Sequence, residues 1–209
     1  MDQDKRILAA KDHWAGRMIT NGVPLADFQD VTNSVRTWDD WCNKWSEKGA
    51  FHKNLGNIAL SESRKISAGA HYKTAAVCYH FGKFLFVDYP NEMNAAHKNT
   101  IECYNKALPL LSPPGERINI PYEGKSLYGN LRVPIGSVKP PIVIMAMGLD
   151  STKEEMFTYE SVFLERGLAT LSFDGPGQGE GEYDFTMCPE YEKPIKAVIS
   201  KLKKIHYHG

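Results

Sequence analysis

The sequence lacks an excess of charge of either sign, because 25 Lys and Arg residues balance 25 Asp and Glu residues in a chain of 209. It therefore lacks the field that attracts nucleic acid or an anionic membrane surface. It also lacks a long apolar run: the most apolar segment, residues 140–148, is far shorter than the roughly 20 residues of a membrane helix. We expect a small-molecule substrate as the partner, with no nucleic acid and no membrane.

The sequence also lacks closely spaced cysteine pairs and the apolar core of a signal peptide. The four cysteines form no C-x-x-C pair, and we expect reduced, mostly buried thiols at Cys42, Cys78, Cys103 and Cys188. His206 and His208 have no second pair of ligands nearby in the sequence, so we predict no metal site, and we expect no cofactor. The first ten residues, MDQDKRILAA, contain charges of both signs without an apolar core, which favours a cytoplasmic protein.

The first half of the chain has a helical pattern. Up to residue 111, apolar residues recur every three or four positions, which predicts a helical bundle. Trp38, Trp41 and Trp45 share one face of a predicted helix that has its N-cap at Thr37 and ends at Gly49. Further helices are predicted over residues 51–62, 65–87 and 91–111. The prolines of "SPPG" then end the bundle, so we place the domains at 1–114 and 115–209.

The second half alternates short β-rich runs with helices. "RINIPYEG" and "KSLYGNLRVP" predict a hairpin, and "PIVIMAMG" and "LATLSFD" predict buried strands. Helices are predicted over residues 152–166 and 190–204. A hairpin followed by strand, helix, strand and helix is typical of the beginning of an α/β sheet with parallel strands.

A glycine-rich loop, "DGPGQGEGE", follows the last predicted strand. Its glycines fit neither G-x-G-x-x-G nor G-x-x-x-x-G-K-[ST], it has no lysine, and its acidic residues would repel a phosphate. Glycines there allow positive φ and close backbone approach at the edge where α/β folds bind ligands. We predict that Asp174, Gly175, Pro176 and Gly177 form a pocket wall; an ordinary structural turn is the alternative.

A second turn, "MGLDSTKEE", follows the preceding strand. Ser151 and Glu154 predict a capping box at the start of a helix. The backbone N–H groups of Gly148, Leu149 and Asp150 would then lie beside that helix start and could stabilise an oxyanion, an effect of about 3 kcal/mol per well-aimed donor. An ordinary strand-to-helix turn is the alternative interpretation.

These motifs together resemble a known family. "GLDSTKEE", "RGLATLSFDGPGQGE", "YEKPIKAV", "WDDWCNKWS" and "AAVCYHFGKFLF" are similar to segments of the bacterial 2,6-dihydropseudooxynicotine hydrolase family, whose relatives include hydrolases that shorten polyketide chains. The resemblance implies an N-terminal helical cap domain, the first part of an α/β-hydrolase sheet, and a serine, histidine and acid triad that cleaves a C–C bond next to a carbonyl, or an ester. It also implies an oxyanion turn that includes Gly148 and Leu149. Tyr79, His80 and Phe84 are predicted cap contacts to a small organic substrate.

The nucleophile motif of such hydrolases, G-x-S-x-G, is not found in these 209 residues. The segment most similar to it, residues 124–128, lacks the second glycine. We therefore expect an N-terminal portion of a hydrolase that is inactive alone, and whose exposed strand edge invites pairing, for example in a homodimer. The alternative is a helical-repeat-like interaction module, although Cys78 and Cys103 are 25 residues apart, unlike the roughly 34-residue tetratricopeptide repeat.

Overall fold

The computed structural model describes residues 3–205 and separates the chain into two compact units. We call Met1–Leu111 the helical unit and Ser112–Gly209 the sheet unit. His206 and His208 lie outside the described residues. Within residues 3–205, every helix falls short of the length and apolar character needed to cross a membrane.

The helical unit is built from α-helices. They are α1 Lys5–Thr20, α2 Leu25–Ser34, α3 Trp41–Ser61, α4 Lys65–Lys83 and α5 Pro90–Ala107. Short 3₁₀ turns, Trp38–Asp40 and Leu108–Leu110, precede α3 and follow α5. Helix α4 packs against both α3 and α5. The predicted helical bundle is confirmed, although α4 ends at Lys83, four residues before its predicted end.

The tryptophan face predicted from the sequence forms part of the core of the helical unit. Trp38, Trp41 and Trp45 are all buried. The rings of Trp38 and Trp41 stack with centroids 5.3 Å apart, and Trp41 Nε1 donates a hydrogen bond of 2.9 Å to the carbonyl of Phe81. Thr37 precedes the 3₁₀ turn, but it makes no side-chain capping bond to the backbone.

The predicted end of a helix at Gly49 is wrong, because α3 continues through this residue to Ser61. A Cβ atom at Gly49 would lie 2.8 Å from the ring of Tyr79 in α4. Two turns later on the same helix face, a Cβ atom at Gly56 would lie 2.8 Å from the ring of Tyr72. Both glycines therefore allow tyrosine rings of α4 to approach the backbone of α3, and Gly49 does not stop the helix.

The sheet unit combines strands and α-helices. They are β1 Gly115–Tyr122, β2 Lys125–Arg132, β3 Ile142–Ala146, α6 Phe157–Leu164, β4 Ala169–Asp174 and α7 Glu192–Leu202. The strand order is β1-β2-β4-β3. The hairpin β1–β2 is antiparallel, as is β2–β4, whereas β3 and β4 are parallel. The predicted α/β class, with a helical portion followed by a sheet that ends in a parallel strand pair, is confirmed.

The helix predicted to begin at residue 152 begins instead at Phe157. A 3₁₀ turn, Lys153–Glu155, precedes α6, and the N-cap residue of that turn is Thr152, without a side-chain capping bond. The predicted capping box, which needs Ser151 as the N-cap residue, is therefore wrong. The turn is positioned instead by a partner distant in sequence, because the backbone N–H of Lys153 donates to the carboxylate of Asp174 at 2.9 Å.

The sheet brings two chain segments to the same edge. Every residue of β4 is buried, as expected for a strand with neighbours on both sides. Because β3 and β4 are parallel, their C-terminal ends meet at one edge. The turn after β3 and the glycine loop after β4 therefore lie side by side. All four cysteines are free, and Cys42, Cys78 and Cys103 are buried, as expected for reduced thiols.

Candidate functional site

The side chain of Gln178 joins the two turns at this sheet edge. Its Nε2 donates to the carbonyls of Met147 and Gly148, at 2.8 and 3.1 Å. Its Oε1 accepts from the backbone N–H of Gly175 at 3.2 Å and from the hydroxyl of Tyr191 at 2.7 Å. Gln178 is buried and uses both ends of its amide. The turn after β3 is therefore fixed to the glycine loop by one side chain.

This contact fixes the orientation of two peptide units. In a trans peptide the C=O and N–H groups point in opposite directions. Because the carbonyls of Met147 and Gly148 face Gln178, the N–H groups of Gly148 and Leu149 point away from it. Within residues 3–205, neither of these N–H groups donates a hydrogen bond. Two adjacent backbone donors at the C-terminal edge of a parallel strand pair are thus held in a defined direction.

A buried cluster of charges lies behind the same turns. Lys153 Nζ is fully buried and contacts carboxylate oxygens of Asp174 at 2.7 Å, Glu180 at 2.6 Å and Glu154 at 2.6 Å. Asp174 also accepts from the backbone N–H groups of Lys153 and Glu180. Arg117 on β1 binds Glu180 through two guanidinium nitrogens. The cluster connects the turn after β3 to the end of β4 and to β1.

The electrostatics of this cluster follow from its burial. Burial alone would lower the pKa of Lys153, but the three carboxylates raise it above its ordinary value, so the ammonium stays charged. Burial raises the pKa of Asp174, against the opposing charge of Lys153. Burial also acts to raise the pKa of Glu180, yet Lys153 and Arg117 lower it below its ordinary value. The acids therefore depend on the two cations to remain ionised.

The same carboxylates form the group in residues 3–205 whose geometry would suit a metal. Oxygens of Glu154, Asp174 and Glu180 lie within 4.8 Å of one another. Lys153 Nζ, however, is within 2.7 Å of an oxygen of each. The ammonium already supplies the positive charge that a metal ion would bring, and we assign this cluster a structural role.

The glycine loop uses its glycines for tight backbone packing. Gly177 and Gly179 adopt positive φ, at 72° and 45°, which confirms the predicted use of glycine in the loop. A Cβ atom at Gly181 would overlap the carbonyl oxygen of Gly175. Two acidic side chains that were predicted to repel a phosphate, Asp174 and Glu180, are engaged in the buried ion pairs described above.

The predicted site residues divide into distinct environments. Gly148, Leu149 and Asp150 lie in the turn after β3, where the Leu149 side chain is 74% exposed. Of the predicted pocket wall, Asp174 is buried against Lys153, and Pro176 borders a small cavity of about 150 Å³. The remaining two wall residues, Gly175 and Gly177, flank Pro176 in the loop. The oxyanion and pocket roles stay predictions.

The three predicted cap residues do not form one surface. Tyr79 borders a cavity of about 410 Å³ in the helical unit. His80 is fully buried, with its ring centroid 4.9 Å from that of Phe81. Phe84 is also buried, edge-on to Trp14 with centroids 5.0 Å apart. A substrate contact by any of the three stays a prediction.

Sequence reasoning missed Lys153 and Gln178, the two side chains that organise this edge. Both lie inside motifs that carried the family resemblance, "GLDSTKEE" and "RGLATLSFDGPGQGE". The available signal was a polar side chain within a turn that directly follows an apolar strand. Such a side chain has buried backbone groups within reach, and buried polar groups are normally paired.

Comparisons with known proteins agree with this fold. The family profile described as "Esterase FrsA-like" matches residues 26–191. The chain is 36% identical over 192 residues to 2,6-dihydropseudooxynicotine hydrolase of Paenarthrobacter nicotinovorans, and 32% identical over 149 residues to hydrolyase poxO of Penicillium oxalicum. A crystal structure of 2,6-dihydroxy-pseudo-oxynicotine hydrolase superimposes with a TM-score of 0.82 at 34% identity.

The matches cover a large share of this chain but a smaller share of each relative. The matches cover 91% of this chain in the Paenarthrobacter protein and in the crystal structure, and 68% in the Penicillium protein. They cover only 51% of the Paenarthrobacter protein, 54% of the crystallised protein and 35% of the Penicillium protein. The chain thus spans about half the length of the bacterial relative and less of the fungal one, and the resemblance deduced from the motifs is confirmed for that portion.

Proposed function

The chain belongs to the FrsA-like esterase family, and from this membership we propose that it supplies the helical cap and the first strands of an α/β-hydrolase acting on a small organic substrate. The observation that carries the proposal is the fixed direction of the Gly148 and Leu149 N–H groups at the sheet edge. Backbone donors held in place before reaction are what an oxyanion hole requires, because they need no reorganisation as charge develops.

In this proposal the turn 148–150 provides part of the oxyanion hole. Each well-aimed donor contributes about 3 kcal/mol to stabilising the transition state. The segment 174–177 forms a wall of the substrate pocket. Gln178 is the positioning residue that holds the turn after β3 against the glycine loop. Tyr79 is the cap residue that we propose to contact substrate. The relatives' names support a hydrolase, and the resemblance supports cleavage of a C–C bond next to a carbonyl, or of an ester.

The proposed nucleophile is a serine on a strained turn, and no G-x-S-x-G motif is present in the 209 residues. We therefore propose that these 209 residues alone do not catalyse hydrolysis. The assay is release of product from a p-nitrophenyl ester and from a 1,3-diketone by the purified chain. We expect only the background rate. Saturable turnover above background would contradict the proposed inactivity.

The oxyanion role is tested in a hybrid that joins residues 1–205 to the C-terminal half of the Paenarthrobacter relative. We expect hydrolase activity in the hybrid, whereas a folded but inactive hybrid would favour the alternative of an interaction module.

Leu149→Pro removes one N–H donor and should lower kcat by roughly 10²- to 10³-fold. Leu149→Ala keeps the donor and is the matched control. Equal activity of the two variants in an active hybrid would exclude the Leu149 N–H as an oxyanion donor.

A further inference from the structure

Two histidines face each other where α3 packs against α4. His52 Nδ1 and His71 Nδ1 lie 3.1 Å apart, and their ring centroids are separated by 5.4 Å. The two residues are 19 positions apart in the sequence, so only the packing of the helices brings them together. Neither residue belongs to the sheet edge or to the predicted cap contacts. The pair is therefore a set of possible metal ligands that the proposed hydrolysis does not use.

The approach of the two helices is fixed beside this histidine pair. One turn after His52, a Cβ atom at Gly56 would lie 2.8 Å from the ring of Tyr72, the chain neighbour of His71. The hydroxyl of Tyr72 also donates a hydrogen bond of 2.8 Å to the side chain of Asn57 in α3. These contacts hold the two histidines on rigid, closely packed helices, which is what a metal site requires of its ligands.

The other ring nitrogen of His52 contacts a carboxylate. His52 Nε2 lies 2.8 Å from Asp27 Oδ2, and Lys48 contacts the second carboxylate oxygen of Asp27 at 3.2 Å. Because a carboxylate only accepts hydrogen bonds, the proton of the neutral His52 ring lies on Nε2, and Nδ1 keeps its lone pair. A metal-bound histidine normally donates its second nitrogen in this way, which fixes its tautomer and orientation. Asp27 is thus placed to support a metal at His52 Nδ1.

His71 supplies the second nitrogen. Burial, the neighbouring His52 and the positive charge of Arg64 lower the pKa of His71, so its ring is neutral at neutral pH. The residue is half-buried, so an ion can reach it from solvent. Two imidazole nitrogens on one tetrahedral zinc ion lie about 3.3 Å apart. The 3.1 Å between the two Nδ1 atoms is close to this separation.

The change on metal binding is a shift of one proton. In the neutral pair, His71 Nδ1–H donates to His52 Nδ1, because His52 Nε2 holds the other proton against Asp27. When a metal binds, the His71 proton moves to Nε2 of the same ring. A small rotation of the rings then turns both Nδ1 lone pairs towards the ion, and no proton is lost from the pair.

The ligand types select the class of ion. Imidazole nitrogens suit zinc, copper and nickel, whereas calcium and magnesium prefer oxygen ligands. Within residues 3–205, three ligating side chains converge within 4.8 Å only in the acid group around Lys153, so the histidine pair offers two protein ligands. Water would complete the coordination, as in zinc sites that keep an open position.

Two cations near the histidine pair are each bound to acids. Lys48 contacts Asp27 at 3.2 Å and Asp30 at 3.3 Å. Arg64 binds the carboxylate of Glu62. An incoming divalent ion would therefore meet positive charges that acidic neighbours already balance.

We propose that the helical unit binds a zinc ion between His52 Nδ1 and His71 Nδ1, with water in the remaining coordination positions. Asp27 is the positioning residue that orients the His52 ring. Sequence spacing could not predict this site, because its two ligands lie on different helices. The proposal does not rest on the hydrolase function, because it concerns only the helical unit and requires no turnover.

The test is calorimetric titration of the 209-residue chain with Zn²⁺ in a buffer that does not chelate it. Every protein carries His206→Gln and His208→Gln, so that the terminal histidines contribute no binding. We expect one zinc ion per chain, and no binding of Mg²⁺. Asp27→Asn removes only the support of His52 and should weaken zinc binding about tenfold. His71→Gln removes a ligand and should weaken it further.

His13→Gln is the matched control, because His13 is an exposed histidine of α1. It should leave zinc affinity unchanged, and thermal unfolding checks that each variant is folded. Zinc should also raise the unfolding temperature of the parent chain more than that of the His71 variant.

Absence of saturable one-to-one zinc binding would overturn the proposal and leave the histidine pair as a hydrogen bond between helices. Equal zinc affinity in the parent chain and in either folded variant, Asp27→Asn or His71→Gln, would overturn it as well. Because no hydrolysis is measured, failure here leaves the proposed hydrolase function untouched.

Discussion

At the scale of single residues, Gln178 determines the direction of the backbone donors at the sheet edge. Gln178→Glu keeps an oxygen for the Gly175 N–H and the Tyr191 hydroxyl, but places a second oxygen against the carbonyls of Met147 and Gly148. Because two buried carbonyls then lose their donor, we expect the free energy of unfolding to fall by about 2–3 kcal/mol. Urea denaturation measures this loss.

Gln29→Glu is the control for this substitution, since it makes the same chemical change at an exposed position of α2. It should leave stability within about 0.5 kcal/mol of the parent chain. Hydrogen exchange gives the more specific measurement: the Gly148 and Leu149 amides should respond to Gln178→Glu and not to Gln29→Glu. Unaltered exchange at both amides in the Gln178 variant would contradict its positioning role.

Lys153 is the second residue on which this edge depends. Lys153→Met leaves Asp174, Glu154 and Glu180 buried together with Arg117 alone, and breaking a buried ion pair from one side costs about 3–5 kcal/mol. We expect a loss of that size near neutral pH in urea denaturation. Lys193→Met, which removes an exposed ion pair with Glu190, is the control and should leave stability almost unchanged.

The pH dependence of Lys153→Met has a defined sign. Without the ammonium, burial and mutual repulsion raise the pKa of the carboxyls above the unfolded value of about 4. A group with a raised folded-state pKa contributes stability below its unfolded pKa, and this contribution is lost as pH rises through the folded pKa. The variant should therefore approach the stability of the parent chain as the pH falls from neutral to about 5. A difference that is constant with pH would indicate that lost packing, not charge, causes the effect.

At the scale of secondary-structure elements, the glycines of α3 serve close packing. Gly49→Ala improves helix propensity but places a Cβ atom 2.8 Å from the Tyr79 ring, so we expect a net loss of about 1–3 kcal/mol. Gly16→Ala in α1 meets no atom within 4 Å and should instead stabilise by up to about 1 kcal/mol. Thermal unfolding of the two variants should shift in opposite directions. Stabilisation by both would show that the Tyr79 contact is loose.

How far the sequence predicts these elements depends on whether a signal is local. The hairpin, the parallel strands and the helix breaks come from alternation, apolar runs and turn residues, which act within a few positions. The prediction at Gly49 is wrong because a glycine that ends a helix and one that accepts a tyrosine ring from another helix look alike in sequence. The capping box is wrong for a similar reason, since the Lys153 N–H has its partner 21 residues away, in Asp174.

The candidate site, like the helices, could be predicted from the sequence only where its signals are local. Its location at the ends of β3 and β4 follows from the strand pattern, and its turn residues are indicated by glycine spacing. The charges of Lys153, Asp174 and Glu180 look solvent-exposed in a loop sequence, and only the pairing of the strands brings them together in a buried cluster. The position of Gln178 in a turn after an apolar strand indicates a paired side chain, but its partners Met147 and Gly148 cannot be identified locally because they belong to another turn.

At the scale of the whole molecule, the sheet has an open side. Within the described residues, β3 forms ladder bonds with β4 alone, so its other edge presents unpaired backbone groups. Its residues Ile142 and Ile144 pack on the core cluster of the sheet unit, and Val143 points to the opposite face. In the proposed hydrolase this edge is where a further strand would pair. A second copy of the chain is the partner that we expect in its place.

We therefore predict that the 209-residue chain self-associates with increasing concentration through β3, and that Val143→Lys reduces this association. A lysine on an edge strand opposes pairing because a second strand would have to desolvate its charge or lie beside a like charge. The substitution spares Ile142 and Ile144, so the core should persist. Val138→Lys, at a 78% exposed loop position, adds the same charge away from the strand and is the control. Sedimentation velocity measures the association, and equal dissociation by both lysines would indicate general charge repulsion in place of strand pairing.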